Sequence, residues 1–149
     1  MTRSQRGQVM AFIAVALAMV LMPVAAYAVD SATVSAAAAT LQEATALAAM
    51  EAAEQLNASE FRSTGRLTLD VNAAREIARA VLGAEAPAAS LSSVAVQGAD
   101  VTVSAAELVH LPFDFFPTRV ARLDATASAR LQPGFDNPSS FLPLPTSTF

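Results

Sequence analysis

Few side chains in this 149-residue chain could do covalent chemistry, and they do not cluster. His110 is the only histidine and cysteine is absent. A Ser-His-Asp site would have to be built on His110, which stands at the end of an apolar-polar alternating run with no nucleophile motif beside it. No G-x-S-x-G, H-E-x-x-H or Walker-type glycine loop occurs. The acidic residues Glu43, Glu51 and Glu54 are the only tight carboxylate group, and a spacing of three between the last two is that of a solvated helix face. The residue inventory therefore predicts no catalytic site, no metal site and no cofactor. Without cysteine there is also neither a disulfide framework nor a thiolate ligand set.

The bonds that chemistry could act on are instead in the backbone near the N-terminus. Gly7 and Ala28 are the two candidate processing positions. Gly7 precedes the apolar run "QVMAFIAVALAMVLMPVAAYAVD", and Ala28 closes an A-x-A triplet, Ala26-Tyr27-Ala28, of the kind a signal peptidase cuts. Val9 to Val29 carries no charge. A helix of that length rises about 30 Å, enough to cross the hydrocarbon core of a bilayer. Arg3 and Arg6 precede it without an acid, whereas seven arginines and all thirteen acidic residues follow it. By the positive-inside rule the N-terminus is cytoplasmic and the rest is outside. The acidic outer part disfavours nucleic-acid binding, which needs a basic face. The run exceeds the usual length of a signal core, and the helical pattern continues past Ala28, so a retained anchor is preferred. A soluble binding domain, secreted or periplasmic and released after Ala28, is the alternative.

From Val29 to Leu56 there is no Gly or Pro, and Ala, Leu, Met, Glu and Gln predominate, so the helix is expected to run on beyond the span. Ala28, Ala32, Ala36, Thr40, Ala44, Ala48 and Ala52 recur at spacing four. Such small residues permit close approach of another helix or of the chain's own sheet, and Ala44 and Ala48 are the candidate packing positions.

Arg6-Gly7-Gln8, the apolar span, Ala28-Val29-Asp30, Leu41-Gln42 and the following "EATALAAMEAA" together resemble the TadE/TadG-like proteins of the tight-adherence (Flp) pilus machinery. The resemblance covers about the first 60 residues. It implies a pseudopilin-like protein of the inner (cytoplasmic) membrane, single-pass, without enzymatic activity. It also implies a role in pilus assembly, cell adhesion or secretion, with the lipid bilayer and other pilus or secretion-system membrane proteins as partners, and self-association through the N-terminal helix. Two features depart from the family. Pseudopilins of this kind carry Glu five residues beyond the cleaved Gly, where this chain has Phe12. The basic pair common before L-Q is replaced by Ala36 to Ala39 and Thr40.

Beyond Asn57 the pattern predicts a small α+β domain. Asp70 or Asn72 can cap a second helix over Asp70 to Leu82, ended by Gly83. Ala84 to Ser90 reads as a linker. "LSSVAVQGADVTVSAAELVHL" alternates around Gln97-Gly98-Ala99-Asp100, the pattern of an antiparallel hairpin with Val94 and Val96 facing Val101 and Val103 or their neighbours. "RVARLDATASARLQ" predicts a third strand, with Val120 and, after a one-residue slip, Leu123, Ala125, Ala127, Ala129 and Leu131 pointing inward. The expected organisation is a cytoplasmic N-terminus over 1–8, a transmembrane helix over 9–29, its extension over 30–57, a small domain with a three-stranded antiparallel sheet over 58–132, and a loose tail over 133–149. The loop "LPFDFFP" concentrates Phe113, Phe115 and Phe116; it reads as a core plug, or else as an apolar patch resting on the membrane or a partner.

Overall fold

A single helix joins the apolar N-terminus to an α+β domain. The computed structural model describes residues 3–113 and 119–131. Helix α1 spans Arg3–Ala53, α2 Ala58–Thr64 and α3 Val71–Glu85, followed by strands β1 Ala89–Gln97, β2 Asp100–His110 and β3 Val120–Arg130. The strands form one antiparallel sheet in the order β1-β2-β3.

Helix α1 is unbroken over 51 residues although Pro23 lies within it. Pro23 has no N–H to offer the carbonyl of Met19, and the Leu, Met and Ala residues on either side of it favour helix and carry it through. Asp30 to Ala53 rises about 36 Å at 1.5 Å per residue. The 11 residues of β2 cover the same distance at about 3.3 Å per residue. The sheet therefore lies along the whole outer half of α1. Val101 and Val103 share a core cluster with Ala48, Ala49 and Ala52, and Ala105 shares one with Leu41 and Ala44, so β2 runs antiparallel to the helix.

The buried positions of α1 are Asp30, Leu41, Ala44, Thr45, Ala48, Ala49, Ala52 and Ala53. Their steps of three and four keep one stripe on one side of a 3.6-residue helix. The strict spacing-four row does not, because it drifts by about 40° per step. Ala28, Ala32, Ala36 and Thr40 are accordingly exposed, and the same row enters the core only from Ala44 onward. The hydroxyl of the buried Thr45 donates to the carbonyl of Leu41 at 2.6 Å, so it needs no partner outside the helix.

Helix α3 sits beside α1 on the same face of the sheet and buries Ala74, Ala78 and Leu82. Its cap is Asp70, whose carboxylate accepts from the backbone N–H of Asn72 at 2.9 Å and of Ala73 at 3.1 Å. Such a cap contributes about 1 kcal/mol. The expected stop at Gly83 is corrected: the helix continues to Glu85. Leu82 and Ala86 both enter the core cluster with Leu41 and Ala105, and this packing outweighs the glycine. Pro87 ends the helix by pushing Ala86 to φ −135° and ψ 76°. The expected linker over Ala84 to Ser90 thereby shrinks to Ala86, Pro87 and Ala88.

The hairpin is in the expected register, with Val94 opposite Val103, Val96 opposite Val101 and Gln97 opposite Asp100. Gly98 has φ 65° and among the described residues no non-glycine has positive φ, so the two-residue turn Gly98-Ala99 is of type II′, which requires glycine first. The slip expected in β3 is absent: its pairing with β2 is continuous from Asp100 opposite Arg130 to His110 opposite Val120. The irregularity is in β1, between Leu91 and Ser93, where Ser92 is the extra residue of a bulge. Ala125 is buried, and Leu123, Ala127, Ala129 and Leu131 are half-buried toward the helices.

The sequence reading assigned no element to residues 58–64, where α2 forms. Asn57 caps it, its side-chain oxygen accepting from the Glu60 N–H at 3.1 Å, and Gly65 ends it at φ 70°. Glu60 also accepts from the Thr68 hydroxyl at 2.6 Å, and Leu56 bridges Leu69, so the connection folds back on itself between α1 and α3. The expected tail over 133–149 lies outside the described residues.

Candidate functional site

The residues singled out in the sequence fall into three separate regions. His110 is exposed at the end of β2, across from Val120. Glu43 and Glu51 are exposed on α1, and Glu54 is exposed in the turn just beyond it. Among the described residues no three His, Cys, Asp or Glu side chains come together as a metal could require. The solvent face of the sheet carries hydroxyl pairs instead, Thr102 with Ser128 at 2.8 Å and Ser104 with Thr126 at 3.1 Å. Beside them Arg122 pairs with Asp124 at 3.0 Å. The hydrogen bond from Arg122, opposed by desolvation and aided to a lesser extent by the guanidinium charge, holds the Asp124 carboxyl below the usual carboxylate range. The pair is open to water and contributes little.

Ala44 and Ala48 are 2% and 0% exposed. What approaches them closely belongs to this chain: Leu82 of α3 and its C-terminal cap Ala86 with Ala105 and Ala125 of the sheet around Ala44, and Ala74, Ala78, Val101 and Val103 around Ala48.

Gly7 lies within α1, and Ala28 is exposed in the middle of the same helix. Val9 through Val29 is apolar on every side, and almost every residue of it is open. It supplies the helix of the described chain that is long and apolar enough to cross a membrane.

One polar residue gathers this end of the molecule into a site. Asp30 follows the last residue of the apolar span and is completely buried. Its Oδ1 accepts the backbone N–H of Phe113 at 3.0 Å, tying the start of the β2–β3 connection to α1. Its Oδ2 is buried with no partner among the described residues. A buried carboxylate oxygen is costly to strip of water, so its retention here calls for a positional reason. Leu111 donates its N–H to the Arg119 carbonyl at 3.0 Å, which closes the base of the connection. Phe113 itself is 47% exposed. That corrects the core-plug reading at this position; Phe115 and Phe116 lie outside the described residues. The link between Asp30 and Phe113 has no signal in the sequence beyond an acid placed at the end of an uncharged run.

No family model, curated protein or solved structure matches this chain. What the fold defines is a class: a small α+β domain built around the outer half of a helix whose inner half is apolar throughout.

Proposed function

We propose that this chain is a non-enzymatic, single-pass membrane protein of the pseudopilin-like kind, serving Flp/Tad-type pilus assembly or the adhesion and secretion that depend on such a machine. Its N-terminus is cytoplasmic and its α+β domain stands outside the inner membrane. The observation that carries the reading is the continuity of α1. Twenty-one uncharged residues that bury nothing in the domain pass without interruption into a stretch that is the domain's core. The order of Arg6-Gly7-Gln8, Ala28-Val29-Asp30 and Leu41-Gln42 gives the resemblance to TadE/TadG-like proteins.

Such a protein works by holding a domain at a fixed height and orientation over the bilayer while other membrane components bind it. A rigid helix shared by membrane and domain does this, because no flexible joint separates them. Self-association through the helix would use Ala28, Ala32 and Ala36, which are open, rather than Ala44 and Ala48, which the sheet and α3 cover. Small residues at a membrane interface allow backbones to approach closely.

The rival reading, a soluble domain released after Ala28, is favoured by the Ala26-Tyr27-Ala28 triplet alone. Cell fractionation separates the two. The anchored protein stays in the membrane pellet through alkaline extraction, and deletion of its gene abolishes surface pili or attachment. Recovery in the soluble exported fraction overturns the anchor, and normal piliation after deletion overturns the assembly role.

A further inference from the structure

We infer that the start of the β2–β3 connection, Pro112 and Phe113, rests in the headgroup region of the outer leaflet and forms a second membrane contact beside the helix. The inference rests on the reading of Val9 to Val29 as a retained span. Given that span, the height of Phe113 above the bilayer is fixed by hydrogen-bond geometry. Its backbone N–H lies 3.0 Å from Oδ1 of Asp30, and Asp30 is the residue immediately after the span. Tyr27 is three residues earlier, about 5 Å down the helix axis. The backbone of Phe113 therefore lies about one helical turn from the level of Tyr27, within reach of the zone where aromatic side chains gather at membrane-water interfaces.

Orientation and exposure agree with this height. β2 runs antiparallel to α1, so the sheet presents its β2–β3 end toward the apolar span and its Gly98 turn about 36 Å outward, one strand length away. At the inner end Tyr27, Val29 and Phe113 are all about half exposed, and Pro112 is exposed, so an apolar rim continues from the span onto the domain. Lipid is the occupant that fits, because the rim is continuous with a surface that lipid already covers. The chain itself already shuts the Asp30 carboxylate off from water, and a buried acid at this level is kept because its bond to the Phe113 N–H holds the start of the connection against the end of the span.

The chain contains no tryptophan, so one introduced indole reports one position. Full-length Phe113→Trp, Val15→Trp and Met50→Trp are each reconstituted into phosphatidylcholine and phosphatidylglycerol vesicles whose acyl chains carry bromine either near the headgroup or near the chain middle. Met50 is exposed about 30 Å further along α1 than Asp30 and serves as the dry control. The expected result is that the indole at 113 loses more intensity to shallow bromine than to deep bromine. The indole at 15 loses most to deep bromine, and the indole at 50 is unaffected. If the indole at 15 is quenched while that at 113 behaves like that at 50, the loop contact is overturned and the anchor stands. If the indole at 15 is not quenched, the span itself fails and the loop contact falls with it.

Discussion

Leu at both Ala44 and Ala48 will strip the α+β domain of a large part of its stability. Ala48 has no exposed surface and lies between Val101 and Val103 of the sheet and Ala74 and Ala78 of α3, while Ala44 is held by Leu82, Ala86 and Ala105. Alanine makes up much of this core, so helix and sheet pack at close range and leave no room for a longer side chain. Overpacking costs about 1 to 3 kcal/mol per site, and a domain of this size has only about 5 to 15 kcal/mol in hand. The double variant should therefore melt at least about 10 °C lower, followed by circular dichroism on the full chain in detergent. Glu43→Gln with Glu51→Gln, on the solvated side of α1, should leave the melt where it was. An unchanged melt for the double Leu variant would remove these alanines from the core and return them to the role of an open assembly surface.

Met19→Arg is expected to abolish stable membrane association. Met19 is the midpoint of Val9 to Val29 and is 76% exposed, so the described residues leave a charge there uncovered. Nine of the 21 span residues are Val, Leu, Ile or Phe, which together favour insertion by roughly 3 to 5 kcal/mol, and one Arg at the centre costs about 2.5 to 3.5 kcal/mol. The gain is nearly cancelled before Pro23 is counted. The conservative variant Met19→Leu should remain wholly in the membrane pellet. Alkaline extraction of both variants checks this, and an Arg variant as firmly bound as the parent would show that the span is not lipid-embedded at that residue.

The two alanines also show how far the sequence could be read. Their packing role was visible in the small-residue row, but the row alone could not say what approached them. The answer depends on β2 and α3 folding back along α1, which no local pattern encodes. The hairpin was legible because Gly98 demands its turn and the flanking valines alternate. Helix α3 was legible from Asp70. Its true end was not, since the burial of Leu82 and Ala86 against Leu41 is a tertiary effect that overrides Gly83. Helix α2 offered a signal that passed unused: Asn57, with Glu60 three residues on and Gly65 at the end, marks a short capped helix, but Phe61 is its lone large apolar residue and gives no periodicity. The bulge at Ser92 could not be told from a slip elsewhere, because alternation shows that parity changes without showing which strand absorbs it. The bond from Phe113 to Asp30 joins residues 83 apart, and it turns an ordinary-looking acid at the end of an apolar run into a buried clamp.

The central claim is that α1 stays whole, so that one helix both crosses the membrane and forms the core of the domain. Cleavage after Ala28 would leave Asp30 as the second residue of the chain, at a frayed terminus, and would remove all of the span but Val29. The most direct measurement is the N-terminal residue of the mature protein, determined by sequencing and intact mass on material purified from whole cells together with the exported fraction. The account predicts Met1 or Thr2. Gln8 would indicate pilin-type processing at Gly7 with the span retained, which modifies the account; Val29 would contradict it.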